Sequence, residues 1–453
     1  MTDRDVSYVP RLPRGLIHRG RESLHLFLHP DKPRWIVTNQ LGQEIIGLCE
    51  GDNSIEAIAS EIARRYGKHP NEVEKDVFGF LNELDRAKLF LRDAEEPSES
   101  PVAIRSIFLH LTDRCNLRCI HCYVGDSVRN TELNSQRIHD LIDELADAKG
   151  RAITFSGGEP LLRRDWFDLL EHAAERLDIT LNTNGTLITA GSARLLSRIK
   201  PRVQVSLDGP DSATHDRIRG SGSFAAALRG IREIQQAGLG KRLIISMTLM
   251  KHNIARAPDM IKFAQEVGAA RIRFLPLHSQ GRAKSSWSQL DASLDQYLEW
   301  FRHAYYDPET RSASLGISGG LTGFLLHFPE GDAERWCSIG RTVVIDSRAN
   351  VHPCALLMGD RFLLGNINKT SLRAIEESPR LRDLTLTCHA RTETIAECRT
   401  CIWKNLCQGS CPAFAFLNKG TVQATDDLCD FRRRLYEDMI FGMAETRIPG
   451  QDS

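Results

Sequence analysis

Eleven of the twelve cysteines in this 453-residue chain lie after residue 110, and they fall into two groups. That distribution limits the fold more than any other feature, because thiols at short fixed spacings oblige the backbone to wrap around something. Cys115-Asn-Leu-Arg-Cys119-Ile-His-Cys122 puts three thiols on one short stretch. Cys398-Arg-Thr-Cys401-Ile-Trp-Lys-Asn-Leu-Cys407-Gln-Gly-Ser-Cys411 puts four on another, with Cys337 and Cys354 before it and Cys429 after it. Residues 1–22 carry charges and prolines but no apolar core of a secretion signal, so the expected compartment is the cytoplasm. In that reducing setting the thiols read as metal ligands or catalytic groups, not as disulfides.

Composition excludes some partners. Lys+Arg and Asp+Glu both number 59, so no overall basic field points to nucleic acid. No apolar run approaches the ~18 residues that span a bilayer, so no membrane partner is expected. Hydrophobic residues at 41% and charged residues at 26% suit a globular protein, and the length suits two to three domains.

Three segments are expected, at residues 1–95, 103–310 and 311–453. In the first, residues 23–29 alternate as SLHLFLH and residues 35–38 read WIVT, both strand-like. Asn53-Ser-Ile-Glu56 fits a helix start, followed by an apolar stripe at Ile55, Ile58, Ile62 and Tyr66 that stops at Gly67. A longer helix carries Val73, Val77, Leu81 and Leu84 on one face. The result is a small winged-helix-like module. Residues 93–101, DAEEPSESP, read as a linker. The second segment alternates candidate strands at 106–111, 152–155, 179–182, 203–207, 243–249 and 271–275 with amphipathic stretches such as Ile138, Leu141, Ile142 and Leu145. That pattern predicts an α/β fold, a partial (β/α)6 barrel with its site at the C-terminal strand ends. The third segment is expected to hold hairpins and turns pinned by metal, with a last helix over 430–443.

Three thiolates can hold one [4Fe–4S] cluster and leave one iron open, since such clusters commonly take four cysteines; an incomplete zinc site is the alternative reading of the same spacing. C-x3-C-x2-C after the first strand of a partial barrel resembles the radical S-adenosylmethionine (SAM) superfamily. Gly157-Gly158-Glu159-Pro160 follows the second strand and is similar to the family's GGEP motif, which implies contact with the SAM amino group. Asn182-Thr-Asn184-Gly185 and Ser206-Leu-Asp-Gly209 end the next two strands as in this family. The resemblance, over about residues 103–280, implies contacts to SAM from Asn184 and Ser206, with Arg219 at its carboxylate. It also implies a mechanism. Cys115, Cys119 and Cys122 bind the catalytic cluster, SAM chelates the open iron, and reductive cleavage yields a 5′-deoxyadenosyl radical that takes hydrogen from an unactivated carbon.

The later group, C-x2-C-x5-C-x3-C with its flanking cysteines, resembles the SPASM extension of these enzymes, which binds two auxiliary clusters. Alone, the spacing also admits a zinc-ribbon-like staple. The resemblance implies Cys398, Cys401, Cys407 and Cys429 at a distal cluster, and Cys337, Cys354 and Cys411 at a proximal one, giving three [4Fe–4S] clusters in all. The family's glycine five residues before the second cysteine is replaced by Ala349. The proximal set is one ligand short, residues 323–336 hold no cysteine, and Cys388 is either its missing ligand or an inert thiol. Cys49 reads as core.

The N-terminal module, over about residues 10–92, looks like the PqqD-like recognition element of peptide-maturation enzymes. That implies a precursor leader peptide pairing with a sheet edge, while the reductive chemistry of the radical SAM resemblance implies a low-potential electron donor such as ferredoxin or flavodoxin. The expected function is a radical SAM peptide maturase that crosslinks or otherwise oxidises its substrate, with a thioether among the candidate bonds. Alternatives are an enzyme acting on a small molecule or cofactor precursor, a sulfatase-type maturase, and a non-catalytic iron–sulfur or zinc scaffold. Ala355 stands where the sulfatase-type relatives carry an Asp.

Overall fold

The computed structural model describes residues 7–91, 100, 102–125, 132–306, 316–319 and 337–445. The linker expected at 93–101 lies outside the described residues apart from Ser100, as does the cysteine-free stretch 323–336.

The chain begins with a three-stranded antiparallel sheet, β1 (Ile17–Arg21), β2 (Leu24–Leu28) and β3 (Trp35–Thr38), with β2 in the centre. The pattern Ile-His-Arg-Gly-Arg hides β1 from a reading of alternation. It becomes a strand by pairing with β2, Ile17 opposite Leu28. Successive side chains of a strand face opposite ways. Leu24, Leu26 and Leu28 therefore join the main core, while Phe27 and Ile36 turn to a smaller core beneath three helices. These are α1 (Gln40–Leu48), α2 (Ile55–Tyr66) and α3 (Pro70–Arg86). The cap of α2 is Ser54, whose hydroxyl accepts from the Ala57 N–H at 3.2 Å, whereas the Asn53 side chain donates to the Leu48 carbonyl. Ile55, Ile58 and Ile62 are buried against Val73, Val77, Leu81 and Leu84, but Tyr66 is exposed and donates to Glu44 instead. Cys49 caps α1 inside this small core, where burial pushes its thiol up to about 12.

Strand and helix then alternate as expected. β4 (Ser106–Thr112), β5 (Ala152–Gly157), β6 (Asp178–Thr183), β7 (Arg202–Ser206), β8 (Leu243–Leu249) and β9 (Arg271–Pro276) run parallel in that order. The α4 helix (Ser135–Asp147) buries Ile138, Leu141, Ile142 and Leu145 against the sheet. The sheet does not stop at six strands. β10 (Gly316–Gly319) pairs parallel with β9, and β11 (Thr342–Ile345) pairs parallel with β4 on the other side. β12 (Asn350–His352) and β13 (Gly365–Asn366) continue it antiparallel to ten strands. Residues after 310 thus extend both edges of the barrel sheet. In the turn between β11 and β12, Ala349 sits at φ 72 and is wholly buried. A left-handed conformation costs a residue with a Cβ about 1–2 kcal/mol, a cost that the glycine expected at this position would avoid.

The C-terminal part is more helical than its turn-rich sequence suggests, with helices Pro379–His389 and Pro412–Lys419 before the last one, Cys429–Glu445. That last helix carries Leu435, Tyr436, Met439, Ile440 and Phe441 into the same core as Leu24, Leu26 and Leu28. An Arg21–Asp438 ion pair at 3.3 Å and a hydrogen bond from Asn405 to the Pro30 carbonyl flank the contact. The two ends of the chain therefore share one core. Among the described residues, no helix is long and apolar enough to cross a membrane.

Candidate functional site

A cavity of about 340 Å³ opens at the C-terminal ends of β4 to β9. Cys115, Cys119 and Cys122 line it on the loop that leaves β4, and none of them is in a disulfide. The loop is held by backbone contacts, Gly158 N–H to Thr112 carbonyl at 2.7 Å and Glu159 N–H to Arg114 carbonyl at 2.8 Å. A Cβ on Gly157 would meet the Thr112 carbonyl at 2.3 Å, and one on Gly158 the Arg114 carbonyl at 2.2 Å. The two glycines thus let the cysteine loop lie on the turn after β5, besides lining the cavity themselves.

Glu159 and Pro160 are not among the cavity-lining residues. Glu159 is fully buried and its carboxylate accepts from the Thr183 hydroxyl and from the Asn184 and Leu161 N–H groups. Burial pushes it up to about 7 against those hydrogen bonds. It fixes the loop after β6. Asn184 on that loop lines the cavity and donates to Asn116 at 2.9 Å, bracing the cysteine loop from the far side.

Ser206 and Arg219 also line the cavity. The Arg219 guanidinium donates to Asp208 at 2.6 Å, and its Nη1 lies 3.8 Å from the Cys119 sulfur. Asp208, which the sequence showed only within the stretch Ser206-Leu-Asp-Gly209 and gave no role of its own, is a hub. It is fully buried, accepts from the Thr248 N–H at 2.9 Å, and lies 3.5 Å from His121. Burial opposes its charge, yet Arg219 and His121 hold its carboxyl below the usual range. Burial keeps His121 itself down at about 4. Replacing Asp208 by Asn is expected to destabilise the fold by about 3–5 kcal/mol, because Arg219 is left as an unpaired buried charge. A fall in the urea midpoint together with weaker SAM binding would register this; unchanged values of both would count against it.

The polar lining was not apparent from the sequence. Gln204, Ser246, Thr248 and Arg273 point inward, while their strand neighbours Val203, Val205, Ile245 and Met247 point to the core. Period-two alternation inside strands that otherwise read as apolar was the available signal. Three buried polar atoms of the lining, His121 Nδ1, Asn182 Oδ1 and His278 Nδ1, have no hydrogen-bond partner among the described residues. Such atoms call for a polar occupant. Three thiols on one loop and this orphaned rim fit an iron–sulfur cluster with a polar cosubstrate. Among the described residues no set of three or more His, Cys, Asp or Glu closes on a single ion. A four-iron cluster does not require that, since each thiolate meets a different iron.

The later cysteines form two neighbourhoods. Cys398, Cys401, Cys407 and Cys429 are electrostatic neighbours, beside the Arg432 and Arg433 guanidiniums. Cys337, Cys354 and Cys411 pack together next to Cys388. Burial pushes the Cys398 and Cys411 thiols up to about 12, so the metal-free chain holds them protonated. Ala355 and Leu356, directly after Cys354, line the barrel cavity, and Gln280 donates to the Leu356 carbonyl at 2.8 Å. The second neighbourhood therefore borders the barrel mouth.

Comparison with known proteins agrees in outline. The radical SAM superfamily matches residues 109–264, coenzyme PQQ synthesis protein D (PqqD) matches 25–89, and the SPASM iron–sulfur cluster-binding domain matches 337–402. The mycofactocin maturase MftC of Mycobacterium ulcerans is 30% identical over 333 residues, covering 70% of this chain and 86% of that one. An AdoMet-dependent heme synthase of Nitratidesulfovibrio vulgaris is 28% identical over 350 residues, covering 72% and 91%. Among solved structures, Streptococcus suis SuiB superposes with SAM bound (TM-score 0.60, 14% identity) and with its precursor peptide SuiA bound (TM-score 0.59, 15% identity). Each covers 92% of this chain and 99% of SuiB.

Proposed function

The chain belongs to the radical SAM enzymes that carry a SPASM domain, and from that premise we propose that it is a peptide maturase. It binds the leader of a ribosomally made precursor through its N-terminal sheet and oxidises the core of that precursor in the barrel cavity. The observation that carries this reading is the PqqD-matching module joined in one chain to a radical SAM barrel and SPASM cysteines. The likeness to a mycofactocin maturase, and the fold shared with a protein solved around its precursor peptide, support the same substrate class. The heme synthase relative favours a small-molecule substrate, but the PqqD match weighs against that alternative.

In this reading residues 1–95 recognise the leader, 103–310 form the catalytic barrel and 311–453 the auxiliary-cluster part. Cys115, Cys119 and Cys122 hold the catalytic cluster. Gly157, Gly158, Asn184, Ser206 and Arg219 position SAM, while Glu159, Pro160 and Asp208 position those groups. Cys398, Cys401, Cys407 and Cys429 hold the distal cluster; Cys337, Cys354 and Cys411 serve the proximal one. When bound, reduced cluster and SAM together supply a hydrogen-atom acceptor strong enough for an unactivated carbon. A ferredoxin or flavodoxin is the proposed electron source.

The test is to incubate the reconstituted full chain, SAM and reductant with the short peptides encoded beside its gene. A peptide product lighter by a hydrogen pair, formed only with SAM, is the expected result of a crosslink. Calorimetry with the leader alone should give saturable binding. A chain that cleaves SAM yet neither binds nor changes any such peptide would move the small-molecule alternative ahead.

A further inference from the structure

We propose that Cys388 is the fourth protein ligand of the proximal cluster, which therefore has no open iron. The proposal rests on the reading that the cysteine-rich end binds two clusters, and it makes the nature of one of them specific.

Cys388 belongs to neither cysteine motif. It sits near the end of the helix Pro379–His389, on the face that also buries Leu381 and Thr385. Spacings of four and three keep these residues on one side of a helix. That side enters a buried cluster in which Cys388 meets Ile339, Leu357 and Ala413, with Cys337, Cys354 and Cys411 packed against it. Cys337 and Cys411 are its electrostatic neighbours. Four thiols thus converge on one buried place, with Cys49 alone in a different core.

Arg391 supplies a second, independent observation. Its side chain is 1% exposed. Its Nε and Nη2 donate to the Gly409 carbonyl, and Nη2 also reaches the Ser410 hydroxyl and the Ala424 carbonyl, all uncharged groups. Its Nη1 has no hydrogen-bond partner among the described residues. The ionisable groups facing it are Cys388, Cys411, Cys398 and Asp426, and Asp426 is already paired with Arg432. A buried guanidinium without a carboxylate of its own needs an anion. Neutral thiols do not provide one. Thiolates on a [4Fe–4S] core leave it net negative, more so with four than with three, and each thiol gives up its proton on binding iron.

A fully ligated proximal cluster has one consequence for the substrate. A peptide thiolate could reach iron there only by displacing Cys388, so this cluster would not anchor a cysteine substrate.

The experiment uses the full chain with Cys115→Ala, Cys119→Ala and Cys122→Ala, which removes the one cluster expected to be open. Electron paramagnetic resonance of the reduced auxiliary clusters is compared with and without cyanide. We expect no change on adding cyanide. Adding Cys388→Ala should either remove about four irons per chain or make the spectrum respond to cyanide. The proposal is overturned if the spectrum responds while Cys388 is present, or if Cys388→Ala alters neither iron content nor response. Should the triple variant not fold, the same comparison in the native chain, with SAM filling the catalytic site, separates the same two outcomes. Fewer than about eight irons in the folded triple variant would overturn the two-cluster reading and this proposal with it, so the iron count tells the two failures apart.

Discussion

A chain carrying Cys115→Ala, Cys119→Ala and Cys122→Ala is expected to lose about a third of its iron, at roughly four thiolates per cluster in three clusters, and all reductive cleavage of SAM. The loop should keep its course without its thiols. It is tied by the Gly158–Thr112 and Glu159–Arg114 backbone hydrogen bonds and by Asn184 to Asn116, none of which involves sulfur. Thermal stability should therefore change little while the chemistry disappears. Iron assay and release of methionine from SAM measure the two halves separately. Reductive cleavage surviving in this variant would remove the catalytic assignment.

Deleting residues 1–95 is expected to do more than abolish leader binding. Leu24, Leu26 and Leu28 are at most 8% exposed, and they pack with Trp403, Leu406, Tyr436, Met439 and Phe441. Uncovering that surface costs about 1.5–3 kcal/mol for each large side chain brought to water, so several kcal/mol in total. The last helix starts at Cys429, which stands among the distal thiols. The truncated chain should thus melt earlier and bind less iron, besides failing to process precursor. A gentler probe of docking is a proline at a sheet edge, since proline removes one N–H from the ladder. β2 is central, so proline at Leu26 or Phe27 breaks the module itself. Of the two edges, β1 is guarded by Arg19 and Arg21, whereas β3 offers Trp35 and Val37 half-buried. Charge on an edge discourages pairing. Val37→Pro should weaken leader binding at least tenfold by calorimetry while His18→Pro, whose N–H faces away from β2, should not; the reverse order would assign docking to β1.

The parallel core was legible because short strands with one apolar face recur between amphipathic helices, and Cys115, Cys119 and Cys122 because ligand spacing is a local property. β1 was not, since Ile-His-Arg-Gly-Arg becomes a strand only through its partner. Neither were β10 and β11, short segments that join the sheet far from the rest of it. Asp208 has no role of its own in the sequence until Arg219, His121 and Thr248 are brought to it from other elements. Glu159 was legible as a motif residue but not as a brace, because Thr183 and the Asn184 amide reach it only in the folded sheet. Cys388 lies outside every spacing rule, so the sequence left it as either a ligand or an inert thiol; that its helix buries it on the face of Leu381 and Thr385 is seen only in the fold.

The pairing of β4 with β11 also sets a timetable. Ser106 and Thr342, hydroxyl to hydroxyl at 2.7 Å, are 236 residues apart. At roughly 5–20 residues per second on a ribosome, β4 waits about ten to fifty seconds for the neighbour that covers its outer edge. During that interval the first barrel strand is an open template for any other extended chain. Nascent chains stopped before residue 342 should accordingly be retained by chaperones or aggregate, and release from them should coincide with synthesis of the β11 segment.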